Sequence, residues 1–267
     1  MQKIAVAGAA GRMGGRIIAL SGEYEGIEIA GAFERAGHKD LGKDVGEIAG
    51  AGPLGVKLSE GVLSVIDAAE LVIDFTAPEA TIANMEEAAA RGKAMVIGTT
   101  GIDKAGQEKI RSLSSKVPCV YAGNMSLGIN LLMKIVGDIA GALGPDYDVE
   151  VIEAHHKMKK DAPSGTALML AGAAADALGL DLDRDGVFER HGIIGERKKG
   201  EIGVQTIRGG DIVGEHTVMF IGMGERVEVS HRVSNRDTFA RGALKAALWL
   251  KGKGPGLYNM QDVLGLR

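Results

Sequence analysis

The densest chemistry in the chain is Glu153-Ala154-His155-His156-Lys157-Met158-Lys159-Lys160-Asp161-Ala162-Pro163-Ser164-Gly165-Thr166. Two of the six histidines and three lysines fall within six residues. A bare charge run is usually a solvated face, but such a face has no need of the Pro-Ser-Gly-Thr that follows. Pro163 suits a first helical turn. The N–H groups of Gly165 and Thr166, with the Thr166 hydroxyl, then become donors for a carboxylate or phosphate. Beside lysine and histidine they read as a pocket for an anionic substrate. An imidazolium there can act as a general acid, because its pKa lies near working pH. The close lysines lower that pKa, and a dianionic substrate restores it. Two other chemistries fit less well. Asp161-Ala162-Pro163-Ser164-Gly165 is not the Gly-x-Ser-x-Gly elbow of a nucleophilic serine. Glu153, His155 and His156 lack a His-Glu-x-x-His spacing, and adjacent histidines point apart, so no metal is expected.

A second cluster is Gly8-Ala9-Ala10-Gly11-Arg12-Met13-Gly14, between an apolar run and the helix-like Ile17-Ile18-Ala19-Leu20. Small residues let the backbone approach a pyrophosphate, and a helix start offers free N–H groups. The spacing is looser than Gly-x-Gly-x-x-Gly, but Glu34 stands twenty positions beyond Gly14, where an acidic side chain can hold a ribose. Arg35 beside it suits a 2′-phosphate, which leaves NAD and NADP both open. No Gly-Lys-Ser/Thr follows, which disfavours a phosphate-transferring loop. Phe75-Thr76, Gly98-Thr99-Thr100-Gly101 and Ala122-Gly123-Asn124-Met125 end further apolar runs, with small or hydroxylated residues suited to a nicotinamide.

The elements that must position these residues alternate in the first half. Apolar runs at Ile4–Ala7, Ile27–Phe33, Leu71–Phe75, Ala94–Ile97 and Cys119–Ala122 suit buried parallel strands. Helix patterns at Pro78–Arg91 and Asp103–Ser115 lie between them. This alternation predicts a doubly wound parallel sheet of Rossmann type. After residue 124 the pattern changes. A helix from Leu127 to Leu143, a strand from Asp148 to Ala154 and a helix from Pro163 to Leu178 are followed by strands at Gly203–Ile207, Glu215–Ile221 and Arg226–Val233. These predict a second, α+β domain with an open mixed sheet. Asp181–Gly200 reads as a long loop and Thr238–Leu250 as an amphipathic helix. The expected domains are 1–124 for dinucleotide binding, 125–234 for substrate and oligomerisation, and 235–267 as a helical segment returning to the first.

Composition narrows the function classes. The 267 residues carry 45% hydrophobic and 25% charged residues and a net charge of −4. That argues for a globular chain without a broad nucleic-acid surface. One cysteine excludes an internal disulfide, and Cys119 reads as an inert core thiol. No uninterrupted apolar run approaches the ~20 residues of a membrane span, and the N-terminus has no signal-peptide pattern. A cytoplasmic protein with a small-molecule partner, and with neither nucleic acid nor membrane, is expected. Related reductases of aspartate-derived aldehydes or imines, and a non-catalytic NAD(P) sensor, are the competing readings.

Together the motifs closely resemble the dihydrodipicolinate reductase family. Gly8 to Gly14 resembles its cofactor loop. Glu-Ala-His-His with Lys159 and Asp161-Ala162-Pro163-Ser164-Gly165-Thr166-Ala167 resembles its signature, and Gly98 to Gly101 and Ser230-His231-Arg232 also fit. The resemblance implies NAD(P)H-dependent reduction of 4-hydroxy-tetrahydrodipicolinate to tetrahydrodipicolinate, with loss of water, in diaminopimelate and lysine biosynthesis. It implies His155 as the catalytic acid/base and Lys159 as a proton donor that also holds substrate. It places His156, Ser164, Gly165 and Thr166 on a dicarboxylate. Gly8, Ala9, Ala10, Gly11, Arg12, Met13, Glu34, Arg35, Phe75, Gly98, Thr99, Thr100, Ala122, Gly123, Asn124 and Met125 would hold NADH or NADPH. A homotetramer built through the second sheet is implied. Gly123 and Met125 stand where many members carry Pro and Phe.

Overall fold

The computed structural model describes residues 1–266. In chain order the first elements are β1 (Gln2–Ala7), α1 (Arg12–Ser21), β2 (Ile27–Glu34), α2 (Val45–Ala49), β3 (Leu58–Glu60), β4 (Leu71–Asp74), α3 (Pro78–Ala90), β5 (Ala94–Ile97), α4 (Lys104–Ser114) and β6 (Pro118–Tyr121). Then come α5 (Leu127–Leu143), β7 (Asp148–His155), α6 (Gly165–Leu178), α7 (Leu182–Asp185), β8 (Gly186–Val187), β9 (Ile202–Arg208), β10 (Gly214–Ile221) and β11 (Arg226–Val233). The last are α8 (Asp237–Leu250), β12 (Gly256–Tyr258) and α9 (Met260–Leu264). Two compact units result: Met1–Leu127 with Asp237–Gly265, and Gly128–Arg236.

The first unit holds a seven-stranded, all-parallel sheet in the order β3-β2-β1-β4-β5-β6-β12. Its strands are apolar on both faces because both are covered. Ile4, Val6, Ile73, Val96 and Val120 enter one core layer. Ala5, Ala7, Val72, Met95 and Cys119 enter the other. Burial pushes the Cys119 thiol up to about 12, as an inert core thiol requires. The strand order reverses between β1 and β4, and ligands of open α/β sheets bind at such a point. Within this unit α8 packs on α1, and Arg16 donates to both Asp237 oxygens at 2.8 Å.

The second unit holds a five-stranded sheet in the order β11-β10-β7-β9-β8. It is mixed as expected: β10 is antiparallel to β7 and β11, while β9 is parallel to β7 and β8. One face buries Val149, Val151, Ile202, Val204, Val218 and Phe220 against helices. The chain from Leu127 to Asp146 is long and apolar enough to cross a membrane by length and composition alone. Leu132, Val136 and Ala140, four residues apart on one stripe of α5, nonetheless belong to this core.

Three expectations need correction. The 181–200 segment is not all loop, since it contains α7 and β8. The C-terminal segment is not all helix, since β12 pairs with β6. Pro163 does not occupy the first turn of α6. Ser164 is the N-cap, its hydroxyl accepting from the Ala167 N–H at 3.1 Å, and Pro163 precedes it after a cis peptide bond.

Candidate functional site

The second unit's polar groups follow from sheet register. Side chains directly opposite one another share a face. On β7 the inward series Val149, Val151 is continued by Glu153 and His155. Glu153 faces His216 on β10 and Thr206 on β9, His216 in turn faces His231 on β11, and His155 faces Arg208 on β9. Inward positions that are valine and isoleucine through the core thus become titratable at one end of the sheet.

Glu153 is the centre of this cluster and is fully buried. Its Oε2 lies 2.6 Å from His155 Nδ1 and accepts from Arg208 Nη1 at 2.7 Å. Its Oε1 accepts from Arg208 Nη2 at 2.8 Å, the Ser164 N–H at 3.0 Å and the Thr206 hydroxyl at 3.2 Å. Burial alone would raise this carboxyl. Arg208, His155 and the Ser164 N–H outweigh it and hold the group at about 2. His155 is pushed below its ordinary value by burial. Glu153 pulls it back up, while Lys159 and Arg208 push it down. Its Nε2 lies over Gly214, where a Cβ would come within 3.1 Å, so glycine there leaves room for the ring.

His216 packs edge-on against His155 with ring centroids 5.2 Å apart, and its Nε2 lies 3.1 Å from the Ser164 hydroxyl. Burial, and then His155, lower it to about 4, so it is neutral at physiological pH. Lys159 pairs with Asp161 at 2.7 Å. His156 donates its backbone N–H to Ile212, and its buried ring Nδ1 has no partner among the described residues.

Of the expected residues of this segment, His155 and Ser164 meet on Glu153 and Lys159 lies close enough to act on the His155 ring, while Ser164 takes a different part. Ser164, expected to touch substrate, is buried. Its N–H goes to Glu153, and its hydroxyl serves Ala167 and faces His216. It braces the site, while Gly165 is exposed and Thr166 half-buried at the start of α6. Sequence reasoning weighed Glu153 only as a metal ligand and missed Arg208, Thr206 and His216. The signal was available: Thr206, Arg208 and His216 fall at strand positions whose alternation calls for apolar residues.

In the first unit, Gly8, Gly11, Glu34, Arg35 and Phe75 line one cavity of about 420 Å³, together with Asn84 and others. Gly8 has φ +60°, and Gly11 caps α1 without any side-chain hydrogen bond, so the helix start faces outward uncapped. A Cβ on Gly14 would lie 2.2 Å from the Gly8 carbonyl oxygen. This is a cradle that only glycine permits, and it fits a pyrophosphate. Ala10, Met13 and Asn124 are half-buried, and Arg12, Thr100 and Gly123 exposed.

Other predicted cofactor side chains turn inward. Ala9, Ala122 and Met125 belong to the core. Thr99 is buried and donates to Asp74, a fully buried carboxylate that also accepts from Thr76, Thr81 and Asn84. Asp74, unnoticed in the sequence, ties the ends of β4 and β5 together. Gly98 leaves room for the Phe75 ring, which a Cβ would approach to 2.1 Å.

A doubly wound sheet with a glycine cradle at its switch point, continued into a unit that presents a braced histidine, places the chain among nucleotide-dependent oxidoreductases. Residues 2–125 match the family description "Dihydrodipicolinate reductase, N-terminus", and residues 128–264 match "Dihydrodipicolinate reductase, C-terminus". The chain belongs to the dihydrodipicolinate reductase family. It is 55% identical to the 4-hydroxy-tetrahydrodipicolinate reductase of Syntrophobacter fumaroxidans over 267 residues, all of both chains. The protein of the same name from Geobacter metallireducens is 54% identical over the same span. Among solved structures, a dipicolinate-bound dihydrodipicolinate reductase from Paenisporosarcina sp. TG-14 superposes with TM-score 0.78 over 98% of each chain, at 24% identity.

Proposed function

We propose that the chain reduces 4-hydroxy-tetrahydrodipicolinate to tetrahydrodipicolinate, using NADH or NADPH, in diaminopimelate and lysine biosynthesis. The observation that carries this is the family match over both halves, whose second part contains the braced His155 with Lys159 and the start of α6. The reaction adds one hydride and one proton as one water leaves. When bound, the reduced nicotinamide supplies the hydride. The chain supplies the rest. Gly8, Gly11 and the N-terminus of α1 hold the pyrophosphate, and Glu34 and Arg35 the adenosine ribose. Gly165 and Thr166 grip one carboxylate, Lys159 offsets the substrate's remaining negative charge, and His156 contacts the substrate beside it. His155 Nε2 carries the one proton given to the substrate ring, and Lys159, which also holds the substrate, is the alternative donor of that same proton.

The working form is a homotetramer in the cytoplasm, assembled through the sheet of the second unit. Exposed Ile207 and Val227 on β9 and β11, and Met223 in the turn before β11, support that assembly.

The test is oxidation of NADH and of NADPH by the purified chain, with substrate generated in place from pyruvate and aspartate semialdehyde. Rapid oxidation that depends on that substrate is expected. Nucleotide binding without turnover would overturn the assignment.

A further inference from the structure

We propose that Arg208 and Glu153 act as one unit on His155: Glu153 fixes Nδ1 as the nitrogen that bears hydrogen, and Arg208 keeps the carboxylate from making the ring a strong base. The meaning of this arrangement for catalysis rests on the proposed role of His155, but the arrangement itself does not.

The geometry permits one tautomer. Glu153 is a buried carboxylate, and an ionised carboxylate only accepts hydrogen bonds. Every other neighbour on its oxygens is a donor: both Arg208 Nη atoms, the Ser164 N–H and the Thr206 hydroxyl. At 2.6 Å from Oε2, His155 Nδ1 must therefore donate as well. The neutral ring then presents Nε2 as its open position, and a proton taken there is stabilised through Nδ1–H, as in a serine-protease triad.

Arg208 limits that stabilisation. It engages both oxygens of Glu153, bidentate at 2.7 and 2.8 Å, so His155 shares a carboxylate that is already neutralised. The remaining charged and titratable groups around the ring are Lys159 and Asp161 in the loop after β7, His216 on β10 and, beyond it, His231 on β11. None of these supplies a second anion bonded to the imidazole. Arg208 and Glu153 are thus positioning residues. They act through His155 and touch no reacting atom.

The test needs neither substrate nor nucleotide, so failure of the proposed reaction and failure of this arrangement give different results. The protonation midpoint of His155 is read in the full chain from the pH dependence of imidazole C2 hydrogen exchange, with fragmentation separating it from His156. Arg208→Met should raise the midpoint by about one pH unit, the lower end of what a neighbouring charge does. Arg208→Lys, which keeps the charge, should bring it back toward wild type. A merely structural arginine would lower thermal stability and leave the midpoint in place. An unmoved or lowered midpoint in Arg208→Met would overturn the proposal. Should that variant not fold, wild-type protein labelled with 15N in histidine decides. Hydrogen on Nδ1 of neutral His155 is expected, and hydrogen on Nε2 would refute it.

Discussion

Lowering the pH from 7 to 4 should remove about 3 kcal/mol of stability through a single side chain, His216. His216 is 4% exposed, and its ring Nδ1 is buried with no partner among the described residues. Burial, and then the neighbouring His155, lower its pKa from 6.5 to about 4. An unfolded chain takes up this proton as pH falls through about 6.5, whereas the folded chain resists until about pH 4. The stabilisation is therefore complete above 6.5, drains away between 6.5 and about 4, and levels off below. At about 1.4 kcal/mol for each pH unit, that gap gives about 3 kcal/mol. Against a typical total of roughly 5–15 kcal/mol, it is a large share. His155 and His231 are also lowered and act in the same direction. Glu153, held at about 2, adds its loss only below about 4.5. The assay is urea unfolding of wild type and His216→Gln at pH 7, 6, 5 and 4. The substitution's other costs are the same at every pH and cancel in the comparison. Wild type should exceed the variant by about 3 kcal/mol less at pH 4 than at pH 7. Parallel losses in the two proteins would refute the reasoning.

Three further outcomes are expected. His155→Gln should reduce turnover by about 10²–10⁴-fold, the usual worth of a positioned acid, with nucleotide affinity by calorimetry unchanged; equal loss of nucleotide binding would count against its role. Gly14→Ala places a methyl 2.2 Å from the Gly8 carbonyl oxygen and 2.7 Å from the Ala9 Cα, where only backbone can yield. It should cost roughly 1–3 kcal/mol in thermal unfolding and weaken nucleotide binding; a variant matching wild type in both would show that the cradle is not needed. Arg35→Ala should lower the NADPH-to-NADH ratio of kcat/KM by about tenfold, within the worth of one charge-assisted hydrogen bond, and Glu34→Ala should raise it. Ratios unmoved in both would remove these residues from cofactor choice.

Much of this was legible in the sequence, for identifiable reasons. β1, β2, β4, β5 and β6 stood out because strands buried on both faces are apolar throughout. β3, β8 and β12 have two or three residues and carry no period to read. The His155 segment announced itself because its groups are adjacent in the chain. Its supports did not, because Glu153 meets Arg208 and His216 only through strand register, which is a non-local property. The inward turn of Ser164 and Thr99 was hidden because their partners, His216 and Asp74, lie far away along the chain. A hydroxyl at a helix start or just past a strand looks alike whether it faces a ligand or, as here, a buried partner.

The five donors around Glu153 also act as a lock on strand alignment. Thr206 and Arg208 share the inner face of β9 with Ile202 and Val204, while Gln205 and Ile207 lie on the other side. A slip of one residue between β7 and β9 would reverse that assignment. Glutamine and isoleucine would replace threonine and arginine beneath a buried negative charge. A purely apolar strand would tolerate the slip at modest cost. Here it strands a carboxylate without its counter-ion, a loss of roughly 3–5 kcal/mol. The ion pair that braces the histidine thus makes the misaligned sheet the less stable one, and an error in strand pairing excludes itself.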